Sequence, residues 1–151
     1  MNDIMEILIN HEEAISRLYD AYAQKFPDHK EFWATVSWEE KDHAEKIRRL
    51  SQITKKGHAR FDSEKFKLSV IKISMDYVVK ESARVKNEDI SMRTAISVAL
   101  HLENAIVDGE VYESFKGYTA EAKSFIRECA ASFAEHYRAI QDMWSAHRKF
   151  S

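Results

Sequence analysis

Between Trp33 and Thr54 the apolar residues recur in steps of three and four, through Trp33, Val36, Ile47 and Leu50, with Glu40 and His43 holding the central places of the row. Such spacing is the stripe that an α-helix turns toward a packed partner. It commits this stretch to a helix lying against other helices, with a carboxylate and an imidazole on the buried side. The two are three residues apart, so they leave the helix on one face, about one turn from each other. A buried carboxylate that meets nothing costs on the order of several kcal/mol, against roughly 5–15 kcal/mol for the stability of a whole domain. Something positive is expected opposite this row, and a metal ion meets the requirement.

The rest of the chain repeats the pattern. A first helix is expected over about Asn2 to Lys25, stopped by Pro27, with the row Met5, Leu8, Glu12, Ile15, Tyr19, Tyr22 and Phe26. Glu12 is again an acid inside an apolar stripe, whereas His11 and Glu13 fall about 100° to either side and are expected at the border or in solvent. The second helix should end at Gly57, after a basic last turn. Glu12 and Glu40 lie roughly 21 and 18 Å from the turn between these helices at ~1.5 Å per residue, so an antiparallel pair brings them level. A crossover helix, capped within Asp62-Ser63-Glu64 and running to about Val85, offers Phe66, Val70, Ile73, Tyr77 and Val78 as its apolar face. Ser91 caps a third main helix whose row is Met92, Ile96, Ala99, Glu103 and Ile106, expected to continue to Gly117. The last helix, about Thr119 to Lys149, carries Ile126, Cys129, Phe133, His136, Ile140, Met143 and His147.

Three Gly and one Pro in 151 residues leave little material for hairpins, and no alternating β-branched run reads as a strand. The expectation is a single all-α domain over 1–151: an antiparallel four-helix bundle with a long, partly helical crossover between helices 2 and 3. Its halves look duplicated, Glu12-Glu13-Ala14-Ile15 against Glu103-Asn104-Ala105-Ile106, and His43 against His136. One place breaks the symmetry, since Phe133 stands where Glu40 does.

A net charge of −2 without a basic patch argues against nucleic acid. No apolar run reaches the ~18 residues of a membrane span, and no basic and then apolar leader opens the chain, so a cytoplasmic protein is expected. The single cysteine, Cys129, excludes an intramolecular disulfide framework and reads as an inert buried thiol. His11, His29, His58, His101 and His147 lack a ligand-spaced partner. Glu39, Asp42, Glu45, Glu110, Glu113 and Glu135 are expected to face solvent, with Glu110 or Glu135 able to swing toward Phe133. Tyr19, Tyr22, Trp33 and Phe133 read as core and not as a redox relay. The alternative to a metal is a buried polar layer in which His43 and His136 pair with carboxylates and set helix register.

Glu12 with Tyr19 seven residues on, WEEKDHAEKIRRL around Glu40 and His43, and ALHLENAI around Glu103 together resemble the ferritin-like di-iron carboxylate proteins, and among them the rubrerythrin-like branch. The likeness covers nearly the whole chain except the crossover. It implies a ferritin-like bundle in which Glu12 and His43 hold one ion, Glu103 and His136 a second, and Glu40 bridges them. The family's second bridging carboxylate would fall at Phe133, which cannot coordinate. Two iron ions are implied, or a single iron at Glu12, Glu40 and His43 if the lost bridge weakens the second; manganese or zinc suits the same donors. The implied activity is an oxidoreductase reacting with peroxide or dioxygen. Without the family's Cys-rich rubredoxin-like module in this sequence, electrons would come from an external donor such as a rubredoxin-like protein. A homodimer or higher homo-oligomer is expected. Two other readings stay open: a non-catalytic iron-binding or storage protein, and a structural helical bundle with a decayed metal site.

Overall fold

Pro27 has no N–H to donate and disfavours helix in the residue before it, so α1 (Asn2–Lys25) stops there. A single 3-10 turn at Pro27–His29 turns the chain back into α2 (Lys30–Lys55), which packs along α1. The computed structural model describes residues 2–149, and the side chains of residues 4–147. It is all-α in class, with α3 (Leu68–Asn87), α4 (Met92–Asp108) and α5 (Ala120–Lys149) completing the helices. Gly57 takes the left-handed conformation, φ 81°, that ends α2 without steric cost. Ser91 caps α4 as expected, its hydroxyl accepting from the Thr94 N–H at 3.1 Å.

Three expectations are corrected. A short antiparallel ribbon is present, β1 (Ala59–Phe61) paired with β2 (Phe115–Gly117), Phe61 opposite Phe115. Its strands are too short for an alternating pattern to show in sequence, and they pair across more than fifty residues. Next, α4 ends at Asp108 and not near Gly117. Gly109 caps it, Glu110 follows at φ 54°, and Val111, Tyr112 and Phe115 then turn into the core. Gly109 also permits a close approach: a Cβ there would lie 2.9 Å from Ile71 Cδ1. Finally, the crossover helix starts at Leu68 and buries Ile71, Ser74, Val78 and Glu81, leaving Ile73 68 % exposed.

Along the molecule the apolar core divides in two. One cluster gathers Ile15, Tyr19, Trp33, Val36, Ile96, Ala99 and Ile140. The other gathers Met5, Leu8, Ile47, Leu50, Ile106, Phe125 and Cys129. On each of α1, α2, α4 and α5 the change from one cluster to the other falls at a polar residue. These are Glu12, Glu40 with His43, Glu103 and His136. No helix among the described residues is long and apolar enough to cross a membrane.

Candidate metal centre

The five residues named from the sequence are all buried, none more than 2 % exposed. Each sits on its helix's inward stripe because the apolar residues three or four positions away hold that face against its neighbours. Glu40, His43 and His136 present ligand atoms within 4.8 Å of one another. The His43 and His136 rings meet edge to face, with centroids 4.9 Å apart. His136 Nε2 lies 2.8 Å from Glu103 Oε1 and 2.7 Å from Glu40 Oε1. Its one N–H serves Glu103 in hydrogen-bonding geometry, so the approach to Glu40 is a close contact without a hydrogen bond. On the other side of the ring, Nδ1 meets Glu39 Oε1 at 2.8 Å. Tyr19 donates its hydroxyl to the same Glu103 oxygen at 3.0 Å.

The layer is satisfied on one side only. Both ring nitrogens of His136 and the facing oxygen of Glu103 have partners. Toward α1 and α2 it is otherwise: Glu12 Oε2, both oxygens of Glu40 and both nitrogens of His43 are buried with no hydrogen bond. Orphaned buried groups of this kind are rare in proteins and costly, about 1–3 kcal/mol each and more when charged. They are oxygen and imidazole donors, the set that suits a borderline divalent ion. The residues therefore fit a metal.

Electrostatics point the same way. Burial, then the neighbouring Glu40, pushes the Glu12 carboxyl well above the usual range. Burial and the Glu103 charge push Glu40 up to about 8. Burial alone would raise Glu103 as well, but the adjacent His136 imidazolium overrides it and holds that carboxyl down at about 2. His136 is raised in turn, chiefly by Glu103 against its own burial. His43 is lowered by burial, leaving it the neutral imidazole that can donate a lone pair. So the layer sets the His136 imidazolium between Glu103 and Glu39, beside two carboxyl groups kept from ionising for want of a positive charge.

No family model, no curated protein and no solved structure matches the chain. The chemistry of the site is thus carried by its own residues.

Several neighbours differ from expectation. His11 is buried and not at the border: α3 covers that side of α1, and Ser74 Oγ lies 2.7 Å from His11 Nε2. Burial lowers its pKa to about 4. Glu39, expected in solvent, is half-buried and orients His136, because α5 packs on that flank of α2. A carboxylate on the second ring nitrogen is the usual support of a ligating histidine. Tyr112 belongs to the site's surroundings, and nothing in its spacing announced it. It is buried beside Phe133, ring centroids 6.0 Å apart, and its unpartnered hydroxyl lies in the field of Glu12. Phe133 itself stands 6.3 Å from His43, ring to ring. Glu110 is engaged by Lys67 at 3.6 Å, and Glu135 is exposed. Asp42 pairs with Lys46 and Glu45 with Arg48 along the outside of α2. Burial pushes the Cys129 thiol up to about 11, so it is unreactive.

Proposed function

We propose that the chain is a ferritin-like, rubrerythrin-like metalloprotein, a four-helix bundle of α1, α2, α4 and α5 that uses iron to react with peroxide or dioxygen. The observation that carries the metal is the set of orphaned donors on Glu12, Glu40 and His43, the two carboxyl groups among them kept from ionising. Glu12, Glu40 and His43 would hold one ion; Glu40, Glu103 and His136 a second. When bound, adjacent ferrous ions supply two electrons together to an O–O bond.

The chain's own residues define the rest. Glu39 holds the His136 ring by Nδ1, and Tyr19 fixes one oxygen of Glu103. His136 Nε2 coordinates only after giving up its proton, so binding there releases one. The two apolar clusters above and below the layer exclude water. An external donor such as a rubredoxin-like protein would return electrons, in a cytoplasmic homodimer or larger homo-oligomer.

A second reading has its own support. The hydrogen bonds around His136 are complete without a cation, and Phe133 removes a bridging carboxylate, which suits a single ion or a structural layer with a decayed site. Anaerobic loading with Fe(II) followed by a peroxide pulse separates the readings. Peroxide consumed with a new ferric absorbance supports the oxidoreductase; iron bound without turnover supports storage or binding; no iron taken up leaves the structural layer.

A further inference from the structure

Beside the metal layer, α4, β2 and α5 enclose a cavity of about 380 Å³ open to the surface. Its walls are apolar: Ile106, Val111, Phe115, Ile126 and Phe133, with the ring of Tyr112. That volume lies within the ~300–1,000 Å³ usual for small-molecule sites, which are likewise mostly apolar. What lies behind the inner wall sets it apart from an ordinary groove. Phe133 lines the cavity, and its ring centroid lies 6.3 Å from that of His43. Tyr112 lines the cavity too, with its buried hydroxyl in the field of Glu12. Two of the rings that line the cavity thus lie next to the proposed ligands.

The walls also say what would sit there. They offer no counter-charge, so burying an ion against them costs more than burying a neutral molecule. The mouth carries one charge of each sign, Arg127 and Glu113, and selects neither. Three aromatic rings favour a flat partner stacked or edge-on.

We propose that this cavity binds a small, uncharged, single-ring apolar molecule, held against Phe133 and Tyr112 next to the metal layer. The proximity to a metal rests on the reading above; the cavity and its preference do not.

The test is ¹⁹F NMR of the full chain with fluorobenzene, using 4-fluorobenzoate and 4-fluorobenzylammonium as charged controls. Fluorobenzene is expected to show a saturable shift, with both charged rings binding at least tenfold more weakly. Filling the cavity from its exposed side by Ala130→Trp should abolish the shift. Val107→Trp serves as a second variant, and circular dichroism confirms that each is folded. Adding Mn(II) should then broaden the bound ¹⁹F resonance through its unpaired electrons. Saturable binding lost in both variants, without broadening and without bound manganese by elemental analysis, supports the cavity while removing the metal reading. No saturable shift, a shift unchanged in both folded variants, or equal binding of the charged rings overturns the proposal. A signal that disappears as protein concentration rises, with dimer seen by sedimentation, assigns the face to a second copy and overturns it as well.

Discussion

Replacing Glu12 by leucine should make the protein more stable when metal is withheld and less favoured when metal is supplied. Glu12 is 2 % exposed and its Oε2 has no hydrogen-bond partner. Leaving that group unsatisfied costs about 1–3 kcal/mol. A leucine filling the stripe between Leu8 and Ile15 adds about 1.5–3 kcal/mol from apolar burial. Some of this is lost to imperfect packing, so the expected gain in chelator is about 3 kcal/mol, or roughly 6–12 °C in Tm for a chain of this size. Metal reverses the comparison. At a thousandfold excess over its Kd a bound ion adds about 4.1 kcal/mol to the native protein, and each tenfold loss of affinity in the variant forfeits about 1.4 kcal/mol of that, so a loss beyond roughly two hundredfold outweighs the gain. Urea unfolding followed by circular dichroism, in chelator and in excess Zn(II), measures both differences; zinc avoids redox side reactions. A gap between variant and parent that is the same in both buffers would refute the role of Glu12 as a ligand. A variant less stable in chelator would mean that the carboxyl is already compensated.

Three further outcomes follow from the same structure. His136→Ala should destabilise by about 3–5 kcal/mol in chelator, because it strips Glu103 of its buried partner, and should also lower bound metal measured by elemental analysis. His11 has a folded pKa of about 4 against the ordinary 6.5, so folding selects its neutral form. Its contribution, about 3 kcal/mol, is complete above pH ~6.5 and is lost as pH falls toward ~4; His11→Gln should flatten that part of the acid-unfolding profile. Gly117→Ala should cost about 1–3 kcal/mol in chemical denaturation, since its Cβ would stand 2.7 Å from the Lys123 backbone nitrogen.

The helical rows were legible because each buried stripe interrupts itself only where a polar residue is needed. Glu12, Glu40, His43, Glu103 and His136 were visible as violations of an otherwise apolar period, and all five are buried. What escaped depends on partners that periodicity does not name. His11 is inside because α3 covers it, and Glu39 works because α5 lies on its flank; on its own helix the first reads as a border or solvent residue and the second as a solvent one. Tyr112 was hidden by the assumption that α4 ran to Gly117. The spacing of Val111, Tyr112 and Phe115 tolerates a helix, but the left-handed Glu110 breaks it. The ribbon was invisible for a related reason, its three-residue strands pairing with partners more than fifty residues away.

The most direct measurement is the metal content of the untreated, freshly purified protein by elemental analysis, repeated after Glu40→Gln with His43→Ala. Iron, or manganese or zinc in its place, at one or two ions per chain and lost in the double variant is the predicted result. A protein carrying no transition metal, taking up none from added Fe(II) or Zn(II) and gaining no stability from either, would show that these carboxylates and imidazoles are buried for another purpose.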